Sequence, residues 1–227
     1  MLRAIVAALF LTSEMQGDPY ADVRARMVER QIAARGVQDE RVLRAMRAVP
    51  RHKFVDARYG REAYGDHPLP IGHGQTISQP YIVAYMIELL KLPPDARVLE
   101  VGTGCGYQAA VLGEISREVY TIEIVEALAT CARATLAQLG YDNVHVRHGD
   151  GYGGWPGKAP FDGIVVAAAP ADVPPALVEQ RAPGGRLVIP VGDVDQEIRV
   201  ITRTPEGPKE ERLIPVRFVP LTRDPRE

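Results

Sequence analysis

A glycine-rich turn is the first stretch of the sequence whose residue types and spacing suit ligand binding. The segment VLEVGTGCGY places Gly102, Gly104 and Gly106 between a predicted strand and a predicted helix. Glycines let a backbone approach a ligand closely and the start of a helix offers free N–H groups, so this pattern is typical of a nucleotide-like ligand site in a parallel sheet. A dinucleotide fingerprint would need a glycine at position 107, where the sequence has Tyr107. The spacing therefore argues against NAD.

The same glycine spacing, with the acidic Glu100 before it, resembles the cofactor loop of class I S-adenosylmethionine-dependent methyltransferases. Glu123 ends the next predicted strand, where a carboxylate can accept hydrogen bonds from both ribose hydroxyls. Asp150 and Gly151 follow the third predicted strand in HGDG, where Asp150 is expected to accept from an adenine amino group and Gly151 to leave room for the ring. The alternative interpretations are a charge at a helix start for Glu123 and a turn residue for Asp150.

The stretch GHGQTISQPY, residues 72–81, is expected to form a flexible, hydroxyl-rich loop that leads into a helix. Ser78, shortly before Pro80, predicts a helix N-cap with proline in the first turn. The start of a helix favours a bound carboxylate through its unpaired N–H groups and the positive end of its dipole. The Ser78 hydroxyl is therefore predicted to hold a substrate carboxylate without acting as a nucleophile.

Six motifs in chain order resemble the protein-L-isoaspartate (D-aspartate) O-methyltransferase family, from about Ala21 to the C-terminus: PIGHGQTISQPYIVAYMIELL, GTGCGYQAAVL, RHGDGYGGW, APFDGIVVAAAP, PGGRLVIPVG and RFVPLT. GQTISQP is close to diagnostic of this family, whereas the glycine turn is general to methyltransferases. The resemblance implies methyl transfer from S-adenosylmethionine to the free α-carboxylate of L-isoaspartyl residues, and more weakly to D-aspartyl side chains, in aged proteins. The ester then collapses to a succinimide, which opens a route back to normal aspartate.

The resemblance also implies roles for individual residues. Ser78 is the implied active-site residue, and Gln75, Thr76 and Ile77 are implied to shape the substrate pocket with it. The cofactor contacts implied together with the glycine spacing are Glu100, Gly102, Gly104, Gly106, Glu123, Asp150 and Gly151. No metal is expected, because the five histidines show no HxxxH or HExxH spacing.

This reaction needs no general base, because an aspartyl-type carboxylate with a reference pKa of about 3.9 is already ionised at neutral pH. Alignment and the exclusion of water are then the expected sources of catalysis. Two alternatives stay open. One is a methyltransferase whose acceptor is a small-molecule carboxylate or another nucleophile, and the other is a module that binds the cofactor or damaged peptides without turnover. A hydrolase that pairs Ser78 with His73 is disfavoured, because no GxSxG motif is present.

Alternating strands and helices are predicted to position these residues. Short β-branched runs at 97–102, 118–123, 144–150, 161–169 and 185–192 predict strands, and the segments near 107–116, 124–139 and 173–181 predict helices. This alternation predicts an α/β fold of the class I methyltransferase type, Rossmann-like, with a mostly parallel, doubly wound sheet. Runs at 197–203 and 211–221 around a turn at 204–210 predict an antiparallel pair at the edge of that sheet.

The N-terminal part of the chain has a helical pattern from Asp22 to about Arg58, which ends one helix at Gly36 and another at Pro50. We expect a single methyltransferase domain over residues 21–227, whose lid is residues 21–80. Residues 1–20 are expected to be an extension. Its apolar run at 4–11 is short for a membrane span and barely long enough for a signal peptide. Cytoplasmic location is predicted, with export as the alternative.

Composition narrows the class of partner. The 227 residues are 46% hydrophobic and carry a net charge of -2, which is typical of a globular domain without a basic field for nucleic acid or anionic membrane. Cys105 and Cys131 have no CxxC spacing and are expected to be reduced. The expected partners are isoaspartyl peptides and proteins, not nucleic acid or membrane, and the chain is expected to be a monomer.

Overall fold

The computed structural model of the protein describes residues 18–223. In that range the strands are β1 (Leu69–Gly72), β2 (Gln75–Ile77), β3 (Arg97–Val101), β4 (Glu118–Glu123), β5 (Val144–His148), β6 (Phe161–Val166), β7 (Arg181–Val191), β8 (Gln196–Thr204) and β9 (Gly207–Val216). The α-helices are α1 (Ala21–Met27), α2 (Glu40–Ala48), α3 (Pro80–Leu89), α4 (Tyr107–Gly113), α5 (Glu126–Gln138) and α6 (Pro175–Glu179). No helix in the described part is long and apolar enough to cross a membrane.

The central sheet has the strand order β5-β4-β3-β6-β7-β8-β9. The pairs from β5 to β7 are parallel, and β8 and β9 extend the sheet with antiparallel pairing. The chain adds β4 and β5 on one side of β3 and then returns to add β6 and β7 on the other side. In sheets of this kind a ligand binds beyond the carboxyl ends of the strands where the order reverses, which here is between β3 and β6. The predicted α/β fold with its edge pair is confirmed.

Alternating side chains of the sheet belong to two hydrophobic clusters. Val98 belongs to the cluster that contains α3 and α4, whereas the next residue, Leu99, belongs to the cluster that contains Leu177 of α6. Successive side chains of a strand point to opposite faces, so these clusters mark the two covered faces of the sheet.

Several predicted boundaries differ from the structure. β5 and β6 end earlier than predicted, at His148 and Val166, because residues 149–151 and 167–169 turn away beyond the carboxyl edge of the sheet. β7 begins earlier, at Arg181, because Arg181 already pairs with Phe161 before an irregularity in the register. α6 is accordingly short. β9 ends at Val216, so residues 217–221 do not continue the strand, contrary to the prediction.

The N-terminal segment is helical as predicted, but it is broken into short pieces. α1 continues as a π-helical turn, Val28–Ile32, and a 3-10 turn, Ala33–Arg35, which ends at Gly36 with a φ of 97°. After α2, two further 3-10 segments cover Arg51–Phe54 and Ala57–Tyr64. The predicted extension at 1–20 and the signal-like run at 4–11 lie almost wholly outside the described residues.

The stretch predicted as a flexible loop is an ordered hairpin. β1 and β2 pair antiparallel, and the two residues between them, His73 and Gly74, have φ values of 53° and 72°. Two-residue hairpin turns with positive φ at both positions match the twist of the flanking strands, which explains the glycine. The polar residues are therefore fixed on a two-stranded ribbon.

Candidate active site

A cleft lies beyond the carboxyl ends of β3, β4 and β6, and its empty space is about 780 Å³ when the part open to solvent is counted. Its walls come from the glycine turn after β3, the end of β4, residues 75–78 of the hairpin and residues 219–222 near the C-terminus. Segments far apart in sequence thus meet at the point where the strand order reverses.

The glycine turn is held against β4 by its backbone. The amides of Gly102 and Thr103 both donate to the Ile122 carbonyl, at 2.8 and 3.2 Å. Gly102 has a φ of 93° and Gly104 of 53°, a region that side chains disfavour, and both line the cleft. Gly106 does not line it. Gly106 is the N-cap of α4, and a Cβ there would lie 3.2 Å from Leu136 Cδ1, so this glycine allows helix packing.

Glu123 lines the cleft and joins the end of β4 to the glycine turn. Its Oε2 accepts from the Gly104 amide at 2.7 Å, and its Oε1 accepts from the Val125 amide at 2.9 Å. The side chain is buried, with 5% exposure. A carboxylate has about four lone-pair sites, so Glu123 keeps acceptor capacity after these two bonds.

Glu100 is fully buried and is not among the residues that line the cleft. Its Oε2 accepts from the Thr121 hydroxyl at 2.5 Å, and the Thr121 oxygen is 2.6 Å from that of Thr103, which does line the cleft. Glu100 Oε1 is buried without a hydrogen-bond partner among the described residues. Burial, together with the nearby Glu123 charge, raises the pKa of Glu100 to about 8. The structure therefore places Glu100 beneath the turn, connected to the cleft through two threonines.

Asp150 and Gly151 follow β5. Asp150 Oδ1 accepts from the Tyr152 amide at 2.7 Å, which is the turn geometry of the alternative interpretation. Asp150 is not among the residues that line the cleft. Gly151 does line the cleft. A Cβ on Gly151 would overlap Val101 Cγ1, so packing against β3 also explains this glycine.

The four residues predicted to bind substrate, Gln75, Thr76, Ile77 and Ser78, all line the same cleft as the glycine turn. The prediction that Ser78 caps α3 is wrong. The N-cap is Gln79, no side chain caps the helix, and Pro80 is its first residue, because Ser78 continues the extended chain from β2. Within residues 18–223 no hydrogen bond involves the Ser78 hydroxyl, whereas its carbonyl accepts from Arg51 Nη2 at 2.8 Å.

His73 lies in the hairpin turn and is not among the residues that line the cleft. The structure therefore gives no Ser78–His73 pair within hydrogen-bonding distance in the described range. Cys105 lines the cleft, and burial raises the pKa of its thiol to about 11, so it stays protonated at neutral pH. Among residues 18–223 no group of three or more His, Cys, Asp or Glu side chains is arranged to hold a metal ion.

Sequence reasoning missed two parts of the cleft. Gln108 of α4 lines it with 7% exposure, and its Nε2 has no partner among the described residues. Residues 219–222 form another wall, held by hydrogen bonds of 2.8 Å between the Ala169 amide and the Val219 carbonyl and between the Leu221 amide and the Ala169 carbonyl. The motif RFVPLT was the only sequence signal for this wall, and it gave no position in space.

The residues around the cleft fit a cofactor of the S-adenosylmethionine type. Gly102 and Gly104 leave the backbone open to a ligand, Glu123 offers a carboxylate for hydroxyl groups, and the unpaired Gln108 Nε2 is a buried donor beside the space. This turn and carboxylate, on a mostly parallel sheet with an antiparallel edge, define a class I S-adenosylmethionine-dependent methyltransferase.

Comparison with known proteins gives the family. Residues 22–226 match the family model described as protein-L-isoaspartate(D-aspartate) O-methyltransferase, and the chain belongs to this family. It is 59% identical over 200 residues to the protein-L-isoaspartate O-methyltransferase of Gloeobacter violaceus, which covers 87% of this chain and 98% of the relative. The family and the class predicted from the sequence are thereby confirmed.

Two solved structures have the same fold. One protein-L-isoaspartate O-methyltransferase superposes with a TM-score of 0.79 at 27% identity and covers 87% of this chain, which in turn spans 65% of that longer chain. A protein-L-isoaspartate O-methyltransferase from Plasmodium falciparum, in complex with S-adenosyl-L-homocysteine, superposes with a TM-score of 0.76 at 28% identity, over 88% of this chain and 99% of that one.

Proposed function

We propose that the protein transfers the methyl group of S-adenosylmethionine to the free α-carboxylate of L-isoaspartyl residues, and more weakly to D-aspartyl side chains, in damaged proteins. The single observation that carries this proposal is that Ser78 and the glycine turn line one cleft. In a chain of this family, that geometry brings a free hydroxyl opposite a cofactor loop. The amide nitrogen of the isopeptide bond then attacks the ester carbonyl and displaces methanol, which closes a succinimide and starts repair.

The cofactor side of the cleft is expected to hold S-adenosylmethionine through Glu123, the backbone of Gly102 and Gly104, and Gly151. The predicted contacts of Glu100, Gly106 and Asp150 are better understood as indirect, because these residues shape the turns around the cleft. When bound, S-adenosylmethionine supplies an electrophilic methyl group, and the sulfur keeps the electron pair of the broken S–C bond as the methyl group bonds to a carboxylate oxygen. No metal takes part in this proposal.

The acceptor side of the cleft needs only to orient an anion. The isoaspartyl α-carboxylate is ionised at neutral pH, since reference carboxyl pKa values lie between about 3.3 and 4.3. Ser78 Oγ donates a hydrogen bond to one carboxylate oxygen and leaves the other oxygen free for the methyl group. Gln75, Thr76 and Ile77 present an extended edge to the peptide. Fixing the two reactants in line can contribute roughly 7–11 kcal/mol to catalysis, so no proton-transferring side chain is required.

A matched pair of peptides tests this function. Two peptides that differ only by isoaspartyl or aspartyl at one position are incubated with the protein and methyl-labelled S-adenosylmethionine. The proposal expects label in the isoaspartyl peptide and essentially none in the aspartyl peptide. Equal labelling of both peptides contradicts it, and labelling of a free small carboxylate in place of either peptide would support the alternative acceptor.

The organisation of the chain is part of the same proposal. We expect residues 21–227 to act as one domain in which the lid, residues 21–80, carries the acceptor side of the cleft. One family match that runs over residues 22–226 supports treating this range as one unit. Monomeric state and cytoplasmic location remain predictions, which light scattering and N-terminal sequencing of the mature protein would test.

A further inference from the structure

Arg51 is a fully buried cation at the back of the acceptor side. It begins the 3-10 turn Arg51–Phe54 and has 0% exposure. Its Nε donates to the Ala63 carbonyl at 2.6 Å, and its Nη2 donates to the Ser78 carbonyl at 2.8 Å. Its Nη1 has no hydrogen-bond partner in the described part of the chain. Within the lid, one side chain therefore connects the 3-10 turn Arg51–Phe54 to Ser78, the residue expected to hold the substrate carboxylate.

The charge of Arg51 has no acidic counterpart nearby. Within residues 18–223 no Asp or Glu oxygen lies within salt-bridge distance of its guanidinium group. The guanidinium carbon lies 4.8 Å from the ring centre of Tyr107, another residue that lines the cleft. A buried charge without an ion partner is costly, so its presence at this place calls for a compensating interaction. An anionic acceptor in the cleft would supply one.

Arg181 provides an internal comparison. It is also buried, with 1% exposure, and it also donates to backbone carbonyls, from Nε to Val178 at 2.9 Å and from Nη1 to Ile201 at 2.5 Å. Those contacts join α6, β7 and β8, and none of them involves a residue that lines the cleft. The two arginines thus satisfy similar acceptors, but only Arg51 contacts the acceptor wall.

We propose that Arg51 is a positioning residue for methyl transfer: it fixes the Ser78 peptide group through its carbonyl, and its unpaired positive charge favours a carboxylate in the adjacent cleft. This role rests on the proposed function. Charge-assisted hydrogen bonds contribute enough that the loss of one changes an equilibrium by roughly ten- to a hundredfold. The effect should fall on the peptide, because the hydrogen bonds from Arg51 to the backbone go to the carbonyls of Ala63 and Ser78, and none goes to the backbone of Gly102 or Gly104 or to Glu123.

The experiment compares Arg51→Lys and Arg51→Met with Arg181→Lys and Arg181→Met in the full chain. For each variant, kcat and KM are measured with the isoaspartyl peptide, and the Kd for S-adenosyl-L-homocysteine is measured by calorimetry. We expect KM to rise on the order of a hundredfold in Arg51→Met and about tenfold in Arg51→Lys, which keeps the charge. The Arg181 variants are expected to keep the wild-type KM. Every variant that folds should keep the wild-type Kd for S-adenosyl-L-homocysteine.

A second readout does not depend on turnover. The temperature of each measurement is chosen so that all variants have the same free energy of unfolding. Under these conditions, hydrogen exchange of the amides at 75–79 is expected to be faster in the Arg51 variants than in the Arg181 variants. This exchange decides whether Arg51 holds the hairpin even if the wild-type protein methylates neither peptide, which would overturn the proposed function separately.

Three results overturn the role of Arg51. The first is a wild-type KM in Arg51→Met, and the second is an equal rise of KM in the Arg181 variants. The third is failure of both Arg51 variants to fold while the Arg181 variants fold, because Arg51 would then support the fold and not the acceptor wall.

Discussion

The two walls of the cleft are built in different ways. The cofactor wall consists of consecutive strand ends, and the Glu123 carboxylate joins two of them by accepting from the Gly104 amide. The acceptor wall is assembled from distant segments, since Ser78 follows the hairpin and depends on Arg51 from a separate 3-10 turn. We therefore expect cofactor binding to be a property of the sheet itself, and recognition of the damaged peptide to depend on a few long-range contacts.

The largest expected effect is on the cofactor wall. Glu123→Ala removes an acceptor for two backbone amides and the carboxylate expected to bind the ribose, so the Kd for S-adenosyl-L-homocysteine should rise on the order of a hundredfold or more. Isothermal titration calorimetry measures this change. Glu118→Ala is the matched control, because Glu118 begins the same strand and its carboxylate contacts His145 away from the cleft. Equal Kd values for the two variants would contradict the assignment of the cofactor wall.

A smaller effect is expected on the acceptor wall. Ser78→Ala should lower kcat/KM for the isoaspartyl peptide by roughly ten- to a hundredfold, because one hydrogen bond to a carboxylate is lost while the backbone of the wall remains. The Kd for S-adenosyl-L-homocysteine should not change, which separates the two walls. Ser116→Ala is the control, since Ser116 is buried, has an unpaired hydroxyl among the described residues and is not among the cleft-lining residues. A change of cofactor affinity in Ser78→Ala would show that the walls are not independent.

The effect expected to be smallest on binding and catalysis, because it acts on stability instead, lies beneath the cofactor wall. The pKa of Glu100 is raised from the ordinary value of 4.5 to about 8 by burial, so the folded protein holds a proton that the unfolded chain releases between these pH values. The stability contributed by this proton is fully present below pH 4.5 and is lost as pH rises to about 8, by up to about 1.4 kcal/mol per pH unit.

Glu100→Gln removes this titration and keeps an acceptor for the Thr121 hydroxyl. Urea unfolding of both proteins between pH 5 and about 9 should show the wild-type free energy of unfolding falling relative to that of the variant up to about pH 8 and then running parallel. A difference that stays constant over the whole range would mean that Glu100 is ionised in the folded protein.

The cofactor wall could be predicted closely from the sequence, and the acceptor wall only in part. Gly102, Gly104 and Glu123 stand at fixed places after strands that β-branched residues mark clearly, so local pattern determines their position. The sequence did not show which of the neighbouring glycines face the cleft and which serve packing. Gly106 and Gly151 are explained by contacts with Leu136 and Val101, which only the folded chain brings together.

On the acceptor side, GQTISQP pointed to residues that line the cleft, but the local structure predicted for Ser78 was wrong. Ser78 resembled an N-cap because serine shortly before proline is typical of helix starts, yet β2 pairs with β1 up to Ile77 and the helix begins only at Pro80, with Gln79 as its N-cap. The role of Arg51 left no local signal, and RFVPLT gave no position in space for residues 219–222, because both depend on contacts between residues far apart in the chain.

The central claim is that the two walls place the acceptor carboxylate at Ser78, opposite the glycine turn. A crystal structure with S-adenosyl-L-homocysteine and an isoaspartyl peptide tests it most directly. The predicted result is a carboxylate oxygen about 2.8 Å from Ser78 Oγ, with the other oxygen directed at the cofactor sulfur and the ribose at Glu123. A carboxylate bound away from Ser78, or a cofactor bound outside the Gly102–Gly104 turn, would contradict it.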